Sequence, residues 1–383
     1  MTEPLRPAAP LSSPPPAPLL AVDRAAAELR RGGPVVLIAP DQTPLLVLSV
    51  EAATADSLER LVHLSAQPLA LCLTARRTRL IGLEPGDGVV TALTSDLPLT
   101  ADRMLRLADP GTAEDMGGVG RIDDLKVQPL AAGTPAEAGV QLAKIARLLP
   151  GVVMTPVACT ETVRSWAASR NLLVVEGSAV LGYAQTAARS LRLVGEARVP
   201  LVEAENTRIL AFRPADGGIE HLAIVIGTPD PEQPVLARLH SECFTGDLLG
   251  SLRCDCGDQL RGAIDAIHQA GSGVLLYLAQ EGRGIGLVNK LRAYRLQDAG
   301  YDTMDANGQL GFDDDERVYL PAAEMLRLLG YSRIRLMTNN PFKVDALSRH
   351  GVQVEERVPH VFETNSHNLS YLRTKALKGG HLF

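Results

Sequence analysis

Three of the five cysteines lie within one short stretch, residues 236–262, which reads LARLHSECFTGDLLGSLRCDCGDQLRG and has the spacing C-x10-C-x-C. A disulfide between Cys254 and Cys256 would close a badly strained ring, because only one residue separates them. Three thiolates around one ion avoid that strain, and thiolate ligands favour zinc. A zinc ion with three protein ligands keeps a fourth position open, as catalytic sites do. The stretch therefore predicts zinc at Cys243, Cys254 and Cys256, with a structural knuckle or three unrelated buried thiols as alternatives.

The remaining cysteines and two histidines have plainer interpretations. Cys72 and Cys159 lie far upstream in apolar or mixed surroundings, which is typical of small core residues. His268 is twelve residues beyond Cys256, about three helical turns away, and is not expected to be a ligand. His63 is expected to lie on the surface of a helix or to pack against its neighbours.

Length and charge restrict the class of protein. A chain of 383 residues is expected to form two domains, and its 46% hydrophobic content supports a globular protein. The net charge of −6 argues against a general nucleic-acid binder. No signal peptide is expected at the N-terminus, and no apolar run approaches the roughly 18 residues of a membrane span. Thiols grouped as metal ligands favour a reducing compartment, so we expect the cytoplasm.

The first half predicts a tail followed by an α/β (α+β) domain. Residues 1–19 contain seven prolines and are expected to be disordered. Residues 20–189 then alternate short amphipathic helices with apolar runs such as PVVLIAP, LLVLSV and LALCLT, and the first helix is expected to begin near Ala21. This pattern predicts a mixed sheet with flanking helices.

The second half, residues 190–383, predicts another mixed sheet with flanking helices. Two alternating apolar runs around DGG indicate a β-hairpin, and VLARLH is a strand that leads into the first cysteine. Further on, EGRGIG places glycines at the start of a helix, where backbone N–H groups favour an anion. Arg283 within that turn strengthens the prediction of a phosphate site, because a guanidinium binds phosphate oxygens in a fork. Loops at strand ends are the expected site.

Four stretches of this half, RLHSECFTGDLLGSLRCDCG, YLAQEGRGIGLVNKLRAYRLQDAGYDT, LGFDDDERVY and LMTNNPFKV, together resemble GTP cyclohydrolase II in residue type, spacing and order. The resemblance runs from about residue 192 to the end. It implies hydrolysis of GTP to formate, pyrophosphate and 2,5-diamino-6-ribosylamino-4(3H)-pyrimidinone 5′-phosphate for riboflavin synthesis. Zinc would activate a water for attack at C8 of guanine. One departure is VFETNSHNLSYL near the C-terminus, which is expected to affect packing or dimer contacts.

The resemblance also implies a GTP site. Its members are Arg238, His240, Ser241, Glu242, Gln259, Glu281, Gly282, Arg283, Thr303, Thr338 and Lys343. Glu242 and Gln259 would contact the nucleotide, where a carboxylate that accepts from N1–H and the 2-amino group selects guanine. Arg238, Arg283 and Lys343 would bind the triphosphate. Magnesium is expected to bridge the pyrophosphate oxygens, and a homodimer is implied.

Three further residues carry catalytic roles by the same resemblance. Tyr294 would transfer a proton or orient the formyl intermediate, and Asp315 would accept a proton. The family assigns Arg317 as nucleophile toward the α-phosphate. Because arginine has a pKa above roughly 12, we expect Arg317 to clamp the developing phosphate charge instead.

The order and lengths of the elements before about residue 190 resemble 3,4-dihydroxy-2-butanone-4-phosphate synthase. That family carries a dense acidic loop after its first strand, whereas this chain reads IAPDQTPLLVLS and retains only Asp41. The later histidine-bearing segment is replaced by VQPLAAGTPAEAGVQLAKIARLLPG, which has no histidine. Without clustered carboxylates for magnesium and enolisation, we expect a degenerate, inactive domain. A bifunctional enzyme and a GTP-binding regulator without turnover are the alternatives.

Overall fold

The computed structural model describes residues 16–115 and 117–360. Most of the predicted disordered tail and the VFETNSHNLSYL departure lie outside the described residues. The described chain forms two compact units. We call residues 16–183 together with 285–316 the N-terminal unit, and residues 184–284 together with 317–360 the cysteine unit. Among the described residues, no helix is both long and apolar enough to cross a membrane.

The strands, in chain order, are β1 Val35–Ile38, β2 Leu45–Ser49, β3 Ala70–Thr74, β4 Val90–Ser95, β5 Leu125–Leu130, β6 Gly151–Pro156, β7 Leu173–Glu176, β8 Arg192–Arg198, β9 Thr207–Arg213, β10 His221–Ile226, β11 Val235–Ser241, β12 Gly273–Leu278, β13 Arg333–Met337 and β14 Gln353–Val358. The helices are α1 Ala17–Arg30, α2 Ala55–Ser65, α3 Ala75–Leu80, α4 Ala101–Ala108, α5 Pro110–Asp115, α6 Pro135–Ile145, α7 Val163–Ala168, α8 Gly177–Leu181, α9 Tyr183–Arg189, α10 Cys256–Gln269, α11 Leu287–Asp298, α12 Thr303–Gln309, α13 Leu320–Leu329 and α14 Pro341–Arg349. Short helical turns also form at 50–52, 244–248 and 281–284.

The N-terminal unit contains a mixed sheet in the order β5-β4-β3-β6-β2-β1-β7, with only β1 and β7 parallel among the paired strands. Five of its helices, α2, α3, α4, α6 and α7, begin after a threonine whose hydroxyl accepts the backbone N–H three residues on. These side chains satisfy donors that a helix start leaves unpaired. The first helix begins at Ala17, earlier than predicted, directly after Pro16. Strand β5 was not predicted from the sequence. It contains Pro129, which is tolerated because β5 is an edge strand.

The cysteine unit contains the sheet β14-β13-β11-β12-β10-β9-β8. The four strands from β14 to β12 are parallel, and β10, β9 and β8 continue the sheet in antiparallel fashion. The predicted β-hairpin is confirmed as β9 and β10, which pair from His221 opposite Phe212 to Ile226 opposite Thr207. The predicted fold class of two mixed sheets with helices is therefore confirmed.

Strand β11 is buried on both faces, which explains its unbroken apolar run. Val235, Ala237 and Leu239 share a core cluster with residues of α13, whereas Leu236 lies in a second cluster with Ala263 and other residues of α10. Strands covered on both faces are typical of parallel sheets between helices. The carboxyl ends of β11, β12 and β13 consequently open at one edge of the sheet, between the helices that follow them.

Residues 285–316 pack with the N-terminal elements rather than within the cysteine unit. Their apolar side chains Ile285, Ala293, Leu296, Ala306, Leu310 and Phe312 are all buried in a cluster with residues of β3, α4 and α7. This arrangement could not be predicted from the sequence, because the family resemblance runs without interruption through these residues.

Candidate metal and nucleotide site

The three cysteines of the opening stretch converge in space. Strand β11 ends at Ser241, so that Cys243 follows its carboxyl end, while Cys256 is the first residue of α10. Their sulfur atoms and that of Cys254 all lie within 4.8 Å of one another. Among the described residues this is the only such group of three or more histidine, cysteine, aspartate or glutamate side chains.

The spacing of the sulfurs fits a tetrahedral ion. Zinc–sulfur bonds of about 2.3 Å place two sulfurs about 3.8 Å apart, and Cys243 Sγ lies 3.7 Å from Cys254 Sγ. Gly246 closes the loop over them. A Cβ at Gly246 would lie 2.8 Å from Cys254 Sγ and 3.0 Å from Cys243 Sγ, so only glycine leaves room for the three sulfurs.

Two of the three thiols, Cys254 and Cys256, hold their protons more tightly than an ordinary cysteine. Hydrogen bonding with Cys243 raises the pKa of Cys254 to about 11, and the same interaction raises the pKa of Cys256 well above its ordinary value, with burial adding to both. Three neighbouring thiolates repel one another, so the cluster ionises readily only around a positive charge. The donor set therefore suits a thiolate-binding metal ion.

Asp247 organises the loop that carries Cys243. Its carboxylate accepts hydrogen bonds from the backbone N–H of Cys243 at 2.9 Å and from the hydroxyl of Tyr277 at 2.9 Å. His240 Nε2 lies 3.0 Å from the same carboxylate, and its ring stacks on Tyr277 with centroids 5.5 Å apart. Burial lowers the pKa of His240, which keeps the imidazole neutral. Neither Asp247 nor Tyr277 was singled out from the sequence, although Asp247 belongs to the quoted stretch SECFTGD.

A second polar group joins β11 to α10. Arg238 is buried, and its guanidinium donates to Met337 O at 2.9 Å and to Gln259 Oε1 at 2.6 Å. Gln259 in turn donates to the carboxylate of Asp255, which precedes Cys256. Burial lowers the pKa of Arg238 to about 10, an effect that Asp255 opposes. Arg238 and Gln259, both predicted to bind GTP, are thus brought together.

His360, which contacts the predicted site residue Gln259, was also not singled out from the sequence. Its Nε2 donates to the carbonyl of Gln259 at 3.0 Å, and its backbone N–H donates to Asn339. Burial, together with the charge of Arg238, lowers the pKa of His360 to about 4, so the ring is neutral at pH 7. It therefore packs as a neutral donor behind Gln259.

The glycine turn after β12 is confirmed. Gly282 and Arg283 have φ of 64° and 63°, so a non-glycine residue occupies the left-handed region beside a glycine. The carboxylate of Glu281 accepts the N–H of Gly282 at 2.8 Å and the N–H of Phe244 at 2.6 Å. Glu281 thus ties the turn to the loop of the first cysteine.

The turn after β13 supplies two more predicted residues. Asn340 caps α14 by accepting the N–H of Phe342, and its own N–H donates to Thr338 Oγ1 at 3.0 Å. In the first turn of α14, the buried Lys343 donates from Nζ to Leu239 O at 3.0 Å. Lys343 Nζ also lies 5.9 Å from the ring centroid of Tyr319, and the guanidinium of Arg317 lies 5.7 Å from the same ring.

Several buried polar atoms around these strand ends make no hydrogen bond to protein. They are Ser241 Oγ, Arg238 Nε and Gln280 Oε1. A buried polar atom without a hydrogen bond lowers the stability of the fold unless a ligand or water binds it. Two of these atoms lie on β11 and the third lies just after β12, close in sequence to the predicted site residues. Glu242, which follows Ser241, is half-buried and donates its backbone N–H to Leu278 O at 2.8 Å.

Three predicted residues belong to the N-terminal unit instead. Tyr294 lies on α11, half-buried, with Lys290 Nζ 5.7 Å from its ring centroid. Asp315 is exposed, two positions before Arg317, and Thr303 is the first residue of α12. All other predicted site residues belong to the cysteine unit. His63 and His268 are both exposed, and neither belongs to the cysteine cluster.

Relatives of the chain include proteins that it matches over nearly its full length and one that it matches over half of it. Residues 192–359 match the family model described as GTP cyclohydrolase II. A GTP cyclohydrolase-2 from Azospirillum brasilense is 55% identical over 369 residues, which make up 96% of this chain and 95% of that protein. A riboflavin biosynthesis protein RibBA from Cytophaga hutchinsonii is 40% identical over 77% of this chain and 75% of its own length. A GTP cyclohydrolase-2 from Cronobacter sakazakii is 52% identical over 50% of this chain, which is 97% of that protein.

Among solved structures, that of RibBX from A. baumannii, a two domain 3,4-dihydroxy-2-butanone 4-phosphate synthase, is similar over 89% of this chain and 99% of that chain. The TM-score of that match is 0.35 and the sequence identity is 15%. The identity to the A. brasilense protein, by contrast, extends over nearly the full length of both. On that identity, and on the match of residues 192–359, the chain belongs to the GTP cyclohydrolase II family.

Proposed function

We propose that this GTP cyclohydrolase II is a zinc-dependent hydrolase of riboflavin biosynthesis that converts GTP to formate, pyrophosphate and 2,5-diamino-6-ribosylamino-4(3H)-pyrimidinone 5′-phosphate. The observation that carries the proposal is the three-thiol cluster at the sheet edge where β11, β12 and β13 end. Polar residues lie on or directly after the same three strands. Among them, the buried atoms Ser241 Oγ, Arg238 Nε and Gln280 Oε1 make no hydrogen bond to protein.

Cys243, Cys254 and Cys256 would hold the zinc ion. When bound there, zinc would supply Lewis-acid activation of water for hydrolysis at C8 of guanine. The protein contributes the geometry: Gly246 leaves space for the sulfurs, and Asp247 fixes the loop of Cys243 through its backbone N–H. Groups of this kind orient the ligands, and their removal typically weakens metal binding or activity by about 10- to 100-fold.

Guanine recognition falls to Glu242, whose carboxylate would accept from N1–H and the 2-amino group. His240 and Ser241 precede it on the same strand, and the neutral His240 is held by Asp247. The hydrogen bond from Arg238 to Gln259 gives both side chains fixed orientations before the nucleotide arrives. Preorganised polar groups lose little entropy on binding.

Phosphate binding is assigned to Arg238 on β11 and to the positive groups at the other two strand ends. Arg283 sits within the left-handed turn after β12, supported by Gly282 and by the carboxylate of Glu281. Lys343 and Thr338 follow β13. Magnesium would bridge phosphate oxygens rather than occupy an all-protein cage.

For the chemical steps, Asp315 would accept a proton and Tyr294 would orient or protonate the formyl intermediate. Arg317 remains charged at neutral pH, because guanidinium groups do not deprotonate in proteins. We therefore assign it to the charge that develops on the phosphate as pyrophosphate leaves. Thr303 would complete the pocket.

The remaining assignments concern the whole chain. Residues 20–189 would form a degenerate domain without synthase activity, because the loop after β1 offers only Asp41. The adjacent carboxylates Asp123 and Asp124 are already ion-paired with arginines: Asp124 pairs with Arg103, and Asp123 pairs with Arg121. We further propose a homodimer in the cytoplasm, where the five free cysteines would stay reduced.

Incubation of the full chain with GTP and magnesium, with formate and the pyrimidine product followed, tests the proposal. Zinc-loaded protein should release formate, and a Cys254→Ser variant should lose both bound zinc and ring opening. Cys159→Ser is the matched control, since Cys159 lies outside the cluster and its thiol donates to the backbone carbonyl of Glu161. No formate from zinc-loaded wild type would refute the function, and ring opening by Cys254→Ser would refute the metal site.

A further inference from the structure

Helix α11, which carries Tyr294, is seated by charged groups of the N-terminal elements. Arg292 donates from Nη2 to Glu51 Oε2 at 2.8 Å, and its Nε lies 3.8 Å from Asp109 Oδ2. Nη1 of the same guanidinium donates to Asn289 at 2.7 Å. The side chains of Arg292 and Glu51 are 25% and 17% exposed, so this ion pair is largely shielded from water.

Glu51 is itself fixed by the backbone. Its second carboxylate oxygen accepts the N–H of Leu149, and Glu51 lies in the short turn after β2. The fully buried Asn289 donates to Arg147 O at 3.2 Å, two residues earlier than Leu149. The start of α11 is equally close: a Cβ on Gly286 would lie 3.1 Å from the side chain of Arg147. The helix is thus held at its first two turns.

The end of the 285–316 segment is held in the same way. Lys144 pairs with Glu316 at 2.7 Å, immediately before Arg317, and Arg76 pairs with Asp314 at 2.7 Å, immediately before Asp315. Thr74 Oγ1 donates to Gly311 O at 2.9 Å. Every one of these partners belongs to residues 20–189, the part of the chain expected to be inactive.

We propose that the degenerate N-terminal domain serves the cyclohydrolase as the support that orients the 285–316 segment, and that Glu51 is a positioning residue that acts through Arg292 on the helix of Tyr294. The inference rests on the proposed function for the roles of Tyr294 and Asp315. The inactive domain would then contribute to the hydrolysis of GTP by holding catalytic groups in position. Displacement of a catalytic group by about 1 Å can lower the rate on the order of 100-fold.

The experiment compares Glu51→Ala with Asp124→Asn in the full chain. Asp124 and Arg103 form an ion pair of similar burial, 11% and 12% exposed, wholly within the N-terminal residues. Both variants should lose thermal stability. Only Glu51→Ala should lower kcat for formate release, by about 10- to 100-fold, with zinc content unchanged and KM for GTP changed much less.

Two further measurements separate positioning from folding. Amide hydrogen exchange within 287–298 should accelerate in Glu51→Ala and not in Asp124→Asn. In a double-mutant cycle, Glu51→Ala together with Arg292→Ala should be no slower than Arg292→Ala alone, because the two residues act as one pair.

The proposal is overturned if Glu51→Ala keeps wild-type kcat, or if Asp124→Asn loses kcat to the same extent. A wild-type chain that releases no formate would instead refute the proposed function. In that event the hydrogen-exchange comparison still decides whether Glu51 orients the helix, because it needs no turnover.

Discussion

Asp247 shows how a residue outside the ligand set can control it. One carboxylate joins the backbone of Cys243, the ring of His240 and the hydroxyl of Tyr277, so it connects the loop of Cys243 to strands β11 and β12. The sequence could indicate the cysteines, because a disulfide between Cys254 and Cys256 would be badly strained, but an aspartate four positions after Cys243 carries no such signal. Tyr277 lies on β12 and meets the loop only after the sheet has formed.

We predict that Asp247→Asn weakens zinc binding by about 10- to 100-fold, the usual effect of removing a group that orients a metal ligand. The amide has one acceptor oxygen in place of two, so it cannot serve the N–H of Cys243, the hydroxyl of Tyr277 and His240 together. Competition with a chromophoric chelator measures the affinity directly. Asp258→Asn on α10 is the control, since Asp258 is exposed and forms an ion pair with Arg261 on the same helix. Unchanged affinity in Asp247→Asn would contradict the role assigned to the carboxylate.

At the scale of elements, the predicted strands and helices of the site were confirmed because their signals are local. The run VLARLH determines a strand, the glycines of EGRGIG determine a left-handed turn, and the NNP turn determines a helix start. In each case the residues that decide lie a few positions apart. What the sequence could not supply is the order in which strands pair. That order brings Cys243, Glu281 and Thr338, which follow three strands separated along the chain, to one edge of one sheet.

The loop from β11 to α10 allows a test of how tightly the element fits the ion. A methyl group at Gly246 would meet Cys254 Sγ at 2.8 Å and the Cβ of Cys256 at 2.9 Å, contacts that real side chains do not tolerate. We therefore expect Gly246→Ala to displace the thiols and to lower bound zinc to well below one per chain. Metal analysis of purified protein measures the loss. Gly195→Ala, where an added methyl meets nothing within 4 Å, should retain its zinc; a zinc-replete Gly246→Ala protein would show that the loop adjusts.

At the scale of the whole molecule, the arrangement of the 285–316 segment was beyond the sequence for a definite reason. Family motifs show which residues a reaction uses, but not which surface each stretch packs on. The six apolar residues of the segment are spaced for a helix pair with one buried face, and nothing in their pattern distinguishes burial against β12 from burial against α4 and α7. Only the folded chain assigns that face to the N-terminal unit.

The consequence is a prediction about truncation. A chain of residues 190–383 would expose Ile285, Leu296, Leu310 and Phe312, each at most 3% exposed in the full chain. At about 1.5–3 kcal/mol for each large apolar side chain, the loss is about 6–12 kcal/mol, comparable with the stability of an entire domain. We expect the truncated chain to aggregate or to melt at a markedly lower temperature by calorimetry and to release little formate.

Adding residues 1–189 as a separate chain should restore part of that stability and activity, because the covering surface returns without the covalent link. The half-length C. sakazakii relative shows that a GTP cyclohydrolase-2 does not in general include such a domain. The prediction therefore depends on these apolar residues in this chain, and polar substitutions offer a matched control: Leu310→Gln should harm the full-length protein, in which the side chain is buried, more than the truncated one. A truncated chain that stays monodisperse and turns over GTP at the full-length rate would show that the segment finds its place unaided.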